Sequence, residues 1–411
     1  MACWWLTKLV KSTMNAPKLP VPQPLRGQDT EFTRDTMNRR LPDIVQRVLE
    51  ENELPETAVT HITTLLNEIP HGEIRPLPNH LAPDLADWQA AITPHLGQTY
   101  MEAPWFFNET YIYRRIMAAV DHFRSGIDPF ARQKQQSLTS AVEQIRALME
   151  QLNEMIAEGW QAANFHQLLL AALWGNQADM SMWAADDTSK PNHAKSAEQL
   201  AHLLVDDATA VTHLLEKPVN QIEFILDNVG IELIGDLCLA DYLLSVNQVA
   251  AVQFHVKLHP TFVSDATVLD VEATIAYLRQ TDEPAMQEAG ERLTSYLVNG
   301  RLRLLNHSFW TSPHPLWHLP PELHQELGNS DLIISKGDAN YRRALGDAPW
   351  PHTTPIRNIV SYLPTPILFL RTCKSEVLVG MAKNQLDQLK QLGRLEEDWL
   401  VNGRWGIIQL V

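Results

Sequence analysis

Residues 221–236 read QIEFILDNVGIELIGD. An apolar run from Ile222 to Leu226 stops at Asp227 and Asn228. Gly230 follows, and Glu232, Leu233 and Asp236 then recur at helical spacing. A short apolar run closed by polar residues reads as a buried strand, and the spacing after it reads as a helix. The stretch is therefore a strand handing over to a helix through a glycine turn, with a carboxylate and an amide at the point of transfer.

Four more runs repeat the pattern: AAVQFHVK (250–257), RLRLLNHS (301–308), DLIISKG (331–337) and PILFLRT (366–372). The segments between them are long enough for helical crossovers, which is the mark of a parallel sheet covered on both faces. Upstream, LPDIVQRVLEEN (41–52) and LTSAVEQIRALMEQLNEMIAEGW (138–160) carry apolar residues at helical intervals, and residues 105–123 predict a helix starting near Asn108. The expected fold class is α/β, a mostly parallel, Rossmann-like sheet sandwiched by helices, with a helical N-terminal region. The expected division is a loose, proline-marked leader over 1–35, a mainly helical region over 36–215, and an α/β metal- and phosphate-binding domain over 216–411. Met14 offers an alternative translation start.

The chain has 411 residues, of which 45% are hydrophobic and 20% charged, with a formal net charge of -16. That suits a globular protein and argues against a nucleic-acid surface. No apolar run approaches the roughly 20 residues of a membrane span. The three cysteines, Cys3, Cys238 and Cys373, have no zinc or redox spacing, and a reducing, cytoplasmic setting is expected. Cys238 reads as a buried small hydrophobe. An acidic chain that binds anions must build a local positive site.

In open parallel sheets, ligands bind beyond the carboxyl ends of the strands. Those ends carry Asp227 and Asn228, then Asp265, then Asn306 and His307, then Lys336, Asp338, Asn340, Tyr341 and Arg342, and finally Arg371, Thr372 and Lys374. Asp227, Asn228 and Asp265 are hard oxygen donors, suited to magnesium or manganese rather than zinc. Lys336, Arg342, Arg371 and Lys374 can hold a phosphate. The turn at Gly230 lets the next helix aim amides at an anion. The same residues have a plainer reading, since Asp and Asn after a strand are commonly helix N-caps. Metal-assisted phosphoryl transfer to water is the chemistry that the set allows.

LDNVGIEL (226–233), FHVKLHPTFVSDAT (254–267), KGDANYRR (336–343) and RTCK (371–374) resemble the signature segments of the damage-control phosphatases. The last is the RTxK motif of subfamily III, which includes a eukaryotic protein known as an acidic-residue (protein-glutamate) methyltransferase. PWFFNETYIYRRI (104–116), IDPF (127–130) and LLLAALWGNQADMS (168–181) are similar to the same subfamily. The resemblance implies a metal-dependent phosphatase of small phosphomonoesters such as sugar phosphates. It implies that Asp227, Asn228 and Asp265 bind the metal and carry catalysis, and that Glu232, Asp338, Asn340, Tyr341, Arg342 and Lys374 contact substrate. Arg371 joins these on charge. The cofactor is expected to be manganese or magnesium, with nickel or cobalt as alternatives, and the partner a small phosphorylated metabolite.

A carboxyl methyltransferase using S-adenosylmethionine is the alternative, but no glycine-rich loop with an acidic ribose partner supports it. A substrate-binding protein without catalysis is a third reading, and intact metal ligands argue against it. A haloacid-dehalogenase mechanism lacks its DxD motif. Asn176 is a candidate substrate contact or a helix-end cap. The aromatic group Trp105, Phe106, Phe107, Tyr111 and Tyr113 reads as core, and His255 and His259 as structural.

Overall fold

A computed structural model describes residues 16–78, 81–175, 200–391 and 398–411. Seven strands form one sheet: β1 Leu203–Asp206, β2 Val219–Ile225, β3 Val249–Val256, β4 Leu302–Asn306, β5 Leu332–Lys336, β6 Ile367–Thr372 and β7 Gly406–Leu410. Their order is β1-β7-β6-β5-β2-β3-β4. The five strands from β6 to β4 are mutually parallel, whereas β7 pairs antiparallel with β6 and parallel with β1. The expected mostly parallel α/β sheet is present, and the five apolar runs that predicted it are β2 to β6.

Both faces of the sheet are covered. Successive strand residues point to opposite sides. Ile225, Ile333, Phe369 and Ile407 pack into one cluster with Leu41, Ile62, Tyr111 and Tyr341. Phe224, Ile334, Leu368 and Ile408 pack into the other with Ile145, Leu168 and Leu237. Each cluster thus joins the N-terminal helices to the sheet, and β1 precedes residue 216, where the helical and α/β regions were expected to meet. Residues of the expected leader also lie against the body: Leu25 is buried, its carbonyl accepts from Trp105 N at 2.7 Å, and Lys18 N donates to Asn358 O.

The helix expected near Asn108 begins three residues earlier, at Trp105. Pro104 caps it, and a proline that cannot donate loses nothing at a helix start. Asn108 lies inside the helix, its Nδ2 donating to the Tyr100 and Ala103 carbonyls. Among the described residues no helix is long and apolar enough to cross a membrane.

From β2 the chain crosses towards β3 and β4, and from β5 it crosses the other way to β6. The order of the sheet therefore reverses between β2 and β5. Side chains leaving the carboxyl ends of these two strands face a crevice that no crossover covers.

Candidate active site

Two loops are stitched together at this reversal. Leu226 N donates to His255 O, Val229 N to Ser264 O and Ala266 N to Asp227 O, and Asn228 and Asp265 form an isolated antiparallel bridge. This pairing sets the Asp227 and Asp265 side chains beside each other. Gly230 then turns the chain with φ +76° into the Ile231–Ser245 helix and serves as its N-cap, so Asp227 and Asn228 are not needed as caps. Glu232, in the first turn, is buried with Asp227 and Asp265.

The local charge is unusual. Burial, the Asp265 charge and the Glu232 charge push the Asp227 carboxyl well above the usual carboxylate range, against the pull of Lys257 and Lys374. Burial also raises Asp265, and Lys257 opposes it. Asn228 Nδ2 bridges Asp227 Oδ2 at 2.8 Å and Glu232 Oε2 at 2.9 Å, while Ser264 Oγ donates to Asn228 Oδ1. Lys257 is 1% exposed. Its Nζ donates to Leu226 O at 3.0 Å and lies 3.2 Å from Asp265 Oδ2. That oxygen is buried without a properly aligned hydrogen-bond donor.

The two acids line a cleft of about 410 Å³ together with Asn228, Glu232, Asp338 and Lys374. Gly337 lies on its floor with φ +79°. Lys374 is exposed and close enough for its charge to act on Asp227. Its backbone N donates to Asp338 Oδ1 at 3.2 Å. Asp338 sits below the usual carboxylate range, because the guanidinium groups of Arg371 and Arg342 outweigh the effect of its burial.

Other expected contact residues have partners within the fold. Arg371 is fully buried. It binds Asp338 at 2.7 Å and also donates to the carbonyls of Val377 and Ser375. Asn340 Nδ2 donates to Leu226 O and Lys336 O, and the Tyr341 hydroxyl to Gln409 Oε1. Lys336 holds Asp236 at 2.8 Å, Glu232 at 3.3 Å and the Ala172 carbonyl. Arg342 lines the cleft, but Glu109 takes its Nη1 at 2.5 Å and Asp347 its Nε at 2.7 Å. Its guanidinium also stacks 3.5 Å from the centre of the Trp105 ring. His307 caps a short turn through Nδ1. Asn176 lies outside the described residues.

The cleft wall also includes Phe32, Arg39, Arg40, Trp105 and Glu109. Trp105 was expected as core, and it is buried as well as cleft-lining. In sequence Arg39 and Arg40 look like a solvated helix face, and nothing in their spacing ties them to strand ends about 190 residues away. Lys257 was missed as well, although it directly follows β3 and so stood at a strand's carboxyl end. Among the described residues no three His, Cys, Asp or Glu side chains are grouped as a metal site, and the hard donors here are two carboxylates and an amide.

Residues 36–389 match the family model of the damage-control phosphatase ARMT1-like domain. The chain is 31% identical to damage-control phosphatase ARMT1 of Mus musculus over 404 residues, covering 91% of each chain. It is 30% identical to that of Danio rerio over 443 residues, covering 96% of this chain and 98% of the relative. With the Bos taurus protein it shares 35% over 333 residues, 75% of this chain and 74% of the relative.

Proposed function

The chain belongs to the ARMT1-like damage-control phosphatase family, and from that premise we propose that it is a metal-dependent phosphatase of small phosphomonoesters, sugar phosphates among them. The observation that carries this reading is the Asp227–Asp265 pair. Two carboxylates buried side by side at the reversal point of the sheet, each pushed up by burial, are costly unless a cation joins them.

The residues suit such an ion. Asp265 Oδ2 is buried, with the Lys257 ammonium 3.2 Å away but not aligned for a hydrogen bond. The Asn228 Oδ1 keeps a second lone pair beside its bond from Ser264. Gly337, with no side chain, lets the Asp227 carboxylate pack directly against the backbone. Asp227, Asn228 and Asp265 would hold manganese or magnesium, oxygen-seeking ions that accept a mixed shell completed by water. Such an ion supplies Lewis-acid polarisation of a phosphoryl oxygen and lowers the pKa of bound water.

The other residues act around it. Glu232, fixed by Asn228 and Lys336, faces the cleft as an acceptor for a substrate hydroxyl. Lys374 presents its ammonium to the phosphate. Asp338 receives the backbone N of Lys374 and the Arg371 guanidinium, which fixes the RTxK segment against the cleft. Lys257 neutralises part of the acid pair from beneath and is a positioning residue.

A metal-by-substrate screen on EDTA-stripped protein tests the reading. It predicts phosphate release from some phosphomonoesters that depends on restored metal. Chelator-insensitive release, or methyl transfer from S-adenosylmethionine without phosphate release, would contradict it.

A further inference from the structure

Among the described residues the cleft is lined by four cations, Arg39, Arg40, Arg342 and Lys374, and their hydrogen-bond partners separate them. Arg342 has Nη1 on Glu109 and Nε and Nη2 on Asp347. Arg39 is bound to Asp35 through Nε and Nη2, and its Nη1 lies 3.6 Å from Asp43. These two are neutralised within the fold. The ammonium of Lys374 has no carboxylate within ion-pair distance among the described residues.

Arg40 is intermediate. Its Nη1 donates to Glu109 Oε1 at 2.8 Å, while Nε and Nη2 meet no acceptor among the described residues. Its side chain is 45% exposed and Glu109 is 1% exposed. One carboxylate thus ties down one nitrogen of an otherwise accessible guanidinium and leaves the rest of the fork open. Glu109 is itself shared with Arg342, which also binds Asp347, so Arg40 holds only part of one carboxylate. Arg40 lines the same cleft as Asp227 and Asp265. A pre-oriented guanidinium with a free edge suits a tetrahedral oxyanion, because the planar fork can meet two oxygens at once.

We propose that Arg40 is a second phosphate-binding residue, acting with Lys374 and brought to the cleft by the helical segment Thr36–Arg40. The proposal rests on the phosphatase reading above. It adds that the N-terminal region completes the substrate site rather than only bracing the sheet.

The test compares the full-length, manganese-saturated wild type with Arg40→Gln and Arg40→Lys. Inorganic phosphate is titrated calorimetrically, and the kinetics of 4-nitrophenyl phosphate hydrolysis are measured in parallel. Arg40→Gln should weaken phosphate binding and raise KM by about tenfold or more, as expected for losing a charge-assisted contact. Manganese affinity and melting temperature should stay close to wild type. Arg40→Lys should recover only part of the loss, since a point charge does not reproduce the fork.

If wild type hydrolyses the ester and Arg40→Gln binds phosphate equally well, the inference is overturned and the phosphatase reading stands. A variant with a lower melting temperature but an unchanged phosphate affinity would make Arg40 a brace only, and would overturn it too. A wild type that neither binds phosphate nor releases it would overturn the phosphatase reading, and the inference with it.

Discussion

A Cβ placed on Gly337 would lie 1.9 Å from Asp227 Oδ2. Residue 337 also has φ +79°, a conformation that costs an L-residue roughly 1–2 kcal/mol. Glycine is required here twice, for the turn out of β5 and for the room beside the carboxylate. Gly337→Ala should therefore displace Asp227. The expected outcome is at least tenfold weaker manganese binding by calorimetry, with a modest drop in melting temperature. Metal affinity equal to wild type would show that Asp227 is not a ligand.

The buried acid pair sets stability against function. Asp227→Asn removes a charge that burial and its acidic neighbours disfavour. In metal-free protein the variant should melt above wild type, because buried like charges are destabilising. Manganese should then raise the melting temperature of wild type and leave the variant nearly unmoved, since only a ligand that binds the native state stabilises it. Differential scanning calorimetry with and without EDTA reads both effects.

Lys374 separates substrate binding from metal binding. Its side chain is exposed, so Lys374→Ala should leave stability unchanged. Losing a charge-assisted phosphate contact should lower kcat/KM by about tenfold or more. Metal affinity should stay within a few-fold of wild type, because an ammonium repels the cation. Kinetics and metal titration on one preparation check the split.

Acid should weaken the fold through His259. Burial lowers its pKa from 6.5 to about 4, against the pull of Asp84. Between those values the unfolded chain binds the proton and the native protein does not. The His259 contribution is therefore full above pH 6.5 and falls as pH drops towards 4, by about 1.4 kcal/mol per unit at most. The raised carboxyls of Asp227 and Asp265 bind protons in the native protein and act in the opposite direction, so the test is the difference between wild type and His259→Gln. Urea midpoints at pH 7, 5.5 and 4.5 should show wild type losing stability relative to the variant as the pH falls, and a constant difference would contradict this.

Much of the sheet could be read directly, because β2, β3, β5 and β6 carry apolar runs, as strands buried on both faces must, and the edge strand β4 keeps Leu302, Leu304 and Leu305. β1 and β7 were missed. LLVD (203–206) is only four residues long, and GIIQL (406–410) is a five-residue strand that pairs antiparallel with β6, outside the parallel pattern that was sought. The acid pair was visible because Asp227 and Asp265 lie in the loops that leave the carboxyl ends of β2 and β3. Whether a cation such as Arg342 or Arg371 is free or already paired depends on Glu109, Asp347 and Asp338 arriving from elsewhere in the fold, and no local pattern encodes that. For the same reason Arg40 carries no signal in sequence: its place in the cleft depends on Glu109, 69 residues away.

The most direct measurement is phosphate release by EDTA-stripped protein, assayed on a panel of sugar phosphates and 4-nitrophenyl phosphate before and after manganese or magnesium is restored. The account predicts negligible release without metal, recovery on adding it to wild type, and no recovery in Asp227→Asn. Undiminished release from stripped wild type, or full recovery in the variant, would contradict the claim that Asp227, Asn228 and Asp265 hold a catalytic ion.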